Sequence, residues 1–400
     1  MPADYSSYDV LIVGARAAGA ATAMLLARRG LRVLVVDRAR YGADTLSTHA
    51  LMRGGVLQLS RWGLLDDVIA AGTPPIRRAT FRYADDVVPI TIKPSPGVDA
   101  LYAPRRTILD PIIVDRAIAA GADVRFGVTI TDVTRDHHGT VTGIVGRTAD
   151  ARPFRARSRI VVGADGIRST IAERVGAPNE RTGTGTSAFT YGYWSGLETD
   201  GYEWNFRPDA SSGAVPTNDD HVCVFAAATP RRIGRGGVDV LTRVVAESSP
   251  DLAARLAAAQ APAGTRTFRG RPGYMRRSWG PGWALVGDAG YFKDPLSAHG
   301  LTDALRDAEL LANAVIATVL DGFDERDTLA DYQARRDALS TALFYVVDVI
   351  ASHRWTDTEI PSLLLQLNAA MADEVETLAT APTAPGRVRV CHADNVAKRR

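Results

Sequence analysis

Three aspartates stand at the ends of apolar runs: Asp37 after residues 31–36, Asp165 after 160–164 and Asp288 after 283–287. A carboxylate just past a buried parallel strand lies where open α/β sheets bind ligands, and its oxygens can accept ribose hydroxyls. Asp37 closes the most informative stretch. The run Val10-Leu11-Ile12-Val13 reads as a buried strand and is followed by Gly14-Ala15-Arg16-Ala17-Ala18-Gly19. Gly14 lets the backbone turn sharply, and Gly19 removes a side chain where a helix must pack close to the strand. That helix, expected over 17–29 and closed by Gly30, would present free N–H groups and a positive dipole end to a pyrophosphate. The dinucleotide fingerprint G-x-G-x-x-G has a glycine where this chain has Arg16, whose guanidinium can put its own charge on a phosphate. A plain βαβ packing unit is the alternative reading.

The elements that must position these groups fit a chain of 400 residues, 46% hydrophobic, enough for one large or two ordinary domains. The formal charge is +2, which gives no reason to expect a nucleic-acid partner. Of 47 basic residues only Lys93, Lys293 and Lys398 are lysines. Cys223 and Cys391 are too few for a disulfide scaffold or a structural zinc site, and no metal site is expected. The polar start lacks a signal-like segment, and no apolar run reaches the ~18 residues of a membrane span, so the expectation is a soluble cytoplasmic protein without membrane insertion.

Along the chain, Thr48 and His49 suit a helix cap or a loop beside a ligand. Residues 73–75 mark a shift in composition, and 80–93 alternate as one or two antiparallel strands. Asp110-Pro111 looks like an N-cap with proline at N1, preceded by Arg105 and Arg106. His137-His138 reads as a polar hairpin tip. Phe189, Tyr191 and Tyr193 share one strand face, as do Tyr202, Trp204 and Phe206, and such faces form either core or a pocket for a ring-bearing substrate. One helix is expected over 239–256, a long one from about 301 to 320, and two more over 325–352 and 359–379.

Taken together, the Gly14–Asp37 unit, Asp165-Gly166-Ile167-Arg168-Ser169 and the run from Gly287-Asp288-Ala289 to Gly300 resemble the FAD-dependent aromatic hydroxylases of the p-hydroxybenzoate hydroxylase type. The texture is closer to the superfamily's natural-product monooxygenases and geranylgeranyl-reductase-like members. The resemblance covers about residues 8–350. It implies an α/β fold in which a Rossmann-like FAD-binding domain (1–73, 102–180, 268–325) carries an inserted antiparallel β-sheet substrate domain (74–101, 181–267), followed by C-terminal helices (326–380) and a tail (381–400). It further implies that Asp37 holds the adenosine ribose, Val128 meets the adenine through its backbone and Arg106 contacts the ribityl and phosphate region. Asp165 would serve FAD and nicotinamide binding, Asp288 would bind the ribityl hydroxyls, and Pro295, Gly300 and Leu301 would lie beside the flavin ring. Gly14, Ala15, Arg16, Ala18, Gly19, Arg38, Thr48, Gly166 and Gly287 complete the expected cofactor set. Tyr191, Tyr193, Trp204 and Phe206 are the substrate candidates, and His49 and His299, the only histidines in the two loops expected near the ring, are the candidates for a general base, with a structural role as the alternative for each. The Asp-Gly motif carries Ala172 where the family has an arginine.

The activity implied is monooxygenation: FAD is reduced by a transiently docked NAD(P)H, and one atom of O2 passes to a small aromatic or polyketide-like substrate by hydroxylation or epoxidation. Reduction of prenyl double bonds on the same fold is the rival. A flavin halogenase fits less well, because the early region offers Arg77 and Arg78 in place of its lysine, and residues 279–283 read Trp-Gly-Pro-Gly-Trp instead of its Trp-x-Trp-x-Ile-Pro run.

Overall fold

The computed structural model describes residues 7–380; the expected tail at 381–400 lies outside them. Strand β1 (Ser7–Val13) feeds helix α1 (Ala17–Arg28) and strand β2 (Val33–Asp37). Val10, Ile12, Val33 and Val35 pack on one side of the sheet, and Leu11, Val13, Leu34 and Val36 enter a second core on the other. With both faces covered, neither strand needs a polar position.

Helix α2 (Arg53–Trp62) stops at Gly63, whose φ of +71° is the left-handed cap conformation. The expected cap at Thr48–His49 is corrected. Met52 holds the N-cap position, its N–H donating to Thr302 Oγ1 at 3.2 Å, and His49 is free for another contact. After α3 (Leu65–Ala70) comes the hairpin β3 (Arg78–Tyr83) and β4 (Asp86–Thr91). Helix α4 (Arg106–Ala119) begins a full turn earlier than the Asp110-Pro111 pair suggests. Arg106 grips Asp110 across that turn, so the two sit inside the helix and not at its cap.

Strand β5 (Asp123–Phe126) is followed by the hairpin β6 (Val128–Arg135) and β7 (Val141–Thr148), and then by β8 (Pro153–Gly163). Short α5 (Thr170–Val175) and β9 (Asn179–Thr182) lead into β10 (Ala188–Ser195), β11 (Tyr202–Arg207), β12 (Ala210–Pro216) and β13 (His221–Ala228). Next come α6 (Pro230–Ile233), α7 (Val238–Ser248) and α8 (Pro250–Ala258). Where a single helix was expected there are two. Pro250 cannot continue α7, and Ser249 caps α8 by accepting from Leu252 N–H. Strands β14 (Arg266–Phe268), β15 (Tyr274–Arg276), β16 (Trp279–Gly280), β17 (Trp283–Leu285) and β18 (Tyr291–Phe292) precede the helices α9 (Gly300–Val319), α10 (Glu325–Ala351) and α11 (Ile360–Thr380).

Two sheets organise these elements, with a small third of β18, β15 and β9. The first runs β16-β17-β8-β1-β2-β5, with β7 on β8 and β6 on β7; β17, β8, β1, β2 and β5 are parallel, so their carboxyl ends share one edge. The second runs β14-β10-β13-β12-β11-β3-β4. One face of it carries Phe189, Tyr191, Trp204, Phe206 and Phe225 into the main core, and the other is covered by α7 and α8.

Candidate active site

The carboxyl edge of the parallel strands builds the site. Gly14 has φ +108°, and a Cβ there would stand 2.3 Å from Ala164 O; one on Gly19 would stand 1.9 Å from Gly14 O. Side chains are therefore excluded where α1 meets β1 and β8, and the N-cap of α1, Arg16, makes no side-chain cap. Asp37 Oδ2 accepts Ala15 N–H and its Oδ1 accepts Ala39 N–H, both at 2.7 Å, which ties the glycine turn to the end of β2. Ala15, Arg16, Asp37, Tyr41, Asp110 and Phe126 line a crevice beside it.

Arg16 reaches across that crevice to Ala43 O at 3.1 Å, Asp44 O at 3.3 Å and Asp110 Oδ2 at 3.3 Å. Arg106 holds the same carboxylate in a fork, Nε to Oδ1 at 2.9 Å and Nη2 to Oδ2 at 3.0 Å. Asp110 thus orients two guanidiniums toward one place, a role its reading as a cap missed. The i,i+4 spacing of Arg106 and Asp110 is the signal that could have found it. Arg38 is exposed, and Val128 buries its side chain between β6 and the sheet.

Asp165 and Asp288 follow β8 and β17, so with Asp37 they span three interstrand steps, roughly 14 Å at ~4.8 Å each. Asp165 turns its carboxylate onto α5, accepting from Ser169 Oγ at 2.5 Å, Thr170 N–H at 2.6 Å and Ile171 N–H at 3.2 Å. Burial raises its pKa in spite of those donors. Gly166 takes φ +78° and Gly287 φ +58°, the latter against Ala18, where a Cβ would stand 2.9 Å from Ala18 Cβ. Burial pushes Asp288 up to about 6, with Lys293 and Arg106 pulling the other way.

The loop from Lys293 to His299 is folded by Asp294, which accepts Leu296 N–H at 3.1 Å and Ser187 N–H at 2.7 Å. Pro295 opens a short 3-10 turn, and Gly300 and Leu301 begin α9. His299 holds the N-cap position, buried, with Nε2 on Glu374 of α11. A carboxylate can only accept, so Nε2 carries the ring proton and donates it to Glu374, which leaves Nδ1 buried without a hydrogen-bond partner. Among the described residues, His299, Asp303 and Glu374 bring ligand-type atoms within 4.8 Å of one another, with Lys293 on Asp303 Oδ2, Arg306 on Glu374 Oε1 and His299 on Glu374 Oε2.

His49 lies elsewhere in the site. It adopts φ +68°, and its buried Nε2 is 2.5 Å from the Tyr193 hydroxyl. Burial lowers its pKa to about 3, helped by Arg106, Arg105 and Arg266, so the ring is neutral. Arg105 lies over the Tyr193 ring at 4.3 Å. Thr48 is half-buried beside it, and Ser47 N–H donates to the Tyr191 hydroxyl at 3.1 Å. A cavity of about 360 Å³ opens between Arg105, Tyr193, Ser195, His221, Gln260 and Pro262. Of the four aromatic candidates only Tyr193 borders it. Tyr191 is buried, Trp204 packs on Tyr202 and Phe225, and Phe206 on Trp355.

Residues 7–345 match the family described as FAD binding domain. The chain belongs to that family. FAD is its cofactor, and the residues present suit it: the side-chain-free turn, the acceptor Asp37 and the paired arginines fit the ADP half, and the start of α9 offers N–H groups to the ring. Among relatives of this FAD-binding chain, the aklavinone 12-hydroxylase RdmE of Streptomyces purpurascens is 32% identical, matching 44% of this chain and 36% of its own length. The stretch matched spans about a third of the length of the first such relatives. A menaquinone reductase of Mycolicibacterium smegmatis is 28% identical, over 76% of this chain and 75% of its own. Among solved structures, the flavin-dependent brominase Bmp2 superposes with a TM-score of 0.78 at 20% identity, covering 93% of each chain. PqsL of P. aeruginosa gives 0.75 at 22%, covering 92% of this chain and all of its own. At those identities the likeness shows the fold.

Proposed function

We propose that this FAD-dependent oxidoreductase is a monooxygenase that uses NAD(P)H and O2 to hydroxylate or epoxidise a small aromatic or polyketide-like substrate. The observation that carries the reading is the His49–Tyr193 contact at the border of the open cavity, with Arg105 over the phenol ring. Bound FAD would supply reduction by the nicotinamide and oxygen transfer. The chain's own residues would hold the substrate and orient its hydroxyl. With the ring proton on Nδ1, neutral His49 accepts a hydrogen bond from the Tyr193 hydroxyl at Nε2, and the Tyr193 oxygen in turn can accept a hydrogen bond from a phenolic substrate in the cavity, which orients it. Arg105 offsets the negative charge that develops there. Asp37, Asp110 with Arg16 and Arg106, and the Pro295–Leu301 backbone would hold the cofactor. The hydroxylase relatives support the choice of chemistry.

A second reading, reduction of an isoprenoid double bond, is favoured by one observation: the menaquinone reductase and a digeranylgeranylglycerophospholipid reductase of Methanocella arvoryzae match three quarters or more of both chains. Oxygen uptake separates the two. The purified protein should consume O2 and NAD(P)H together when an aromatic panel is added, and Tyr193→Phe should lower that stimulated rate by ~10²-fold with FAD retained. Anaerobic turnover of a polyprenyl compound, with no substrate-dependent oxygen uptake, would replace the first reading by the second.

A further inference from the structure

The loop from Lys293 to His299 and the first turns of α9 stand on charged residues that are almost wholly buried. Lys293 is paired with Asp303, each almost fully buried. Arg306, with no exposed surface, donates from Nη1 to Glu374 Oε1 at 2.7 Å and from Nε and Nη2 to Asp307 Oδ1 at 2.8 and 2.7 Å. Its Nη2 also meets Ser340 Oγ at 2.9 Å, and its Nη1 lies 3.2 Å from Asp303 Oδ1. The other oxygen of Glu374 takes the ring N–H of His299. Two basic groups, Arg306 and Lys293, the latter lowered to about 7 by burial, thus face three carboxylates, Asp303, Asp307 and Glu374, with a neutral imidazole between them.

Every ionisable member but one belongs to the 293–307 segment that forms the loop and the start of α9. The exception is Glu374, which comes from α11 and is hydrogen-bonded both to His299, at the N-cap of α9, and to Arg306, two turns further on; Asp303 lies near the same two groups, at 3.9 and 3.2 Å, but from within α9 itself. Few isolated carboxylates survive such burial; here Arg306 and the His299 donor hold Glu374 ionised, well below the usual carboxylate range, even though burial alone pushes the other way. Apolar contacts seat the rest of α11, as with Leu378 against α2. Packing that helix does not by itself require a buried acid at 374.

We propose that Glu374 is a positioning residue of the flavin site: from the C-terminal helix it holds His299 and Arg306, and so sets the loop and first turn of α9 on which the flavin ring would lie. The α11 helix is then part of the cofactor site although it lies after the stretch that matches the FAD-binding family. The inference rests on FAD binding alone and holds whether the enzyme oxygenates or reduces.

Glu374→Gln keeps the size of the side chain and removes its charge, so Arg306 keeps a weaker acceptor and the start of α9 loses one nearby negative charge. Glu376→Gln, on the exposed side of α11, is the charge control, and Leu378→Ala loosens the same helix without touching the ionic cluster. FAD affinity is read by quenching of flavin fluorescence on titration into apoprotein, the flavin midpoint potential by dye equilibration, and folding by thermal unfolding of the apoprotein. E374Q is expected to weaken FAD binding by tenfold or more and to raise the midpoint potential by about 30 mV, a tenfold shift in the two-electron equilibrium, while E376Q matches the native protein. L378A is expected to lower the thermal midpoint with FAD affinity and potential kept. Native-like affinity and potential in E374Q would overturn the proposal. So would an equal loss of FAD affinity in L378A, which would make the effect one of general stability. Should E374Q fail to fold, His299→Gln decides by the same two readings, and an unchanged potential and affinity there count against it.

Discussion

Burial sets opposite signs on the acids and histidines of this site, and the consequence is measurable one residue at a time. His353, whose Nε2 meets Ser187 Oγ at 3.0 Å, is lowered to about 4 by burial, with Arg232 adding to the effect and Asp209 opposing it. A folded-state pKa below the unfolded value of ~6.5 means that the native state resists the proton, so its contribution is whole above pH ~6.5 and lost as the pH falls toward 4. Asp294 does the reverse: burial pushes it up to about 7, and the folded chain loses stability as that carboxyl ionises between pH ~4 and 7. The two trends cancel in part, which makes the difference between native and variant chains the useful quantity. His353→Gln keeps a partner for Ser187 and cannot protonate. Denaturant titrations of apoprotein at pH 7 and pH 4 should show the variant losing less stability than the native chain over that interval, by roughly 2–3 kcal/mol. Equal losses would mean that His353 titrates normally in the folded state.

The turn between β1 and α1 was plain in the sequence because every requirement is local: an apolar run, two glycines and a carboxylate within one βαβ unit. Its test is also local. Gly19→Ala places a Cβ against Gly14 O, where backbone and not a flexible side chain must yield, so the apoprotein should lose about 2–4 kcal/mol and purify without flavin colour. Gly63→Ala, at an αL cap with open space around it, should cost only about 1 kcal/mol and leave FAD bound. A yellow G19A protein of native stability would show that the close approach is not needed. Elements failed to be legible where a long-range partner overrode the local signal. Asp110-Pro111 has the composition of a cap, but Arg106 and Arg16 claim the carboxylate, and the helix starts earlier. Thr48 and His49 also have cap chemistry, yet Thr302 from α9 supplies the contact at Met52. No window of sequence joins His299 or Arg306 to Glu374, so the ionic cluster was invisible until α11 was in place.

At the scale of the molecule, two sheets share one core. Val10, Ile12 and Val35 of the parallel sheet belong to the same buried cluster as Tyr191, Trp204 and Phe225 of the aromatic one. The chain crosses between them with its backbone groups satisfied. Leu51 bridges to Tyr102 and Ile76 to Leu101, the Tyr202 hydroxyl donates to Tyr102 O at 2.8 Å, and the Thr217 hydroxyl to Ala103 O at 2.6 Å. Asn218 accepts Arg105 N–H at 3.0 Å and donates to Ala71 O and Thr73 Oγ1, both at 3.0 Å. Arg105 therefore faces the cavity from a backbone pinned to the second sheet, while its neighbour Arg106 turns the other way onto Asp110 from α4. Such a junction should not melt in parts, because exposing either face would strip apolar surface and leave buried polar groups unpaired. Calorimetry of the apoprotein is expected to give one transition with equal calorimetric and van't Hoff enthalpies. Asn218→Ala should lower that transition and weaken the stimulation of NAD(P)H oxidation by an aromatic substrate without splitting the peak. Two resolved transitions would mean that the sheets fold independently and that the cavity beside Arg105 is not held by this junction.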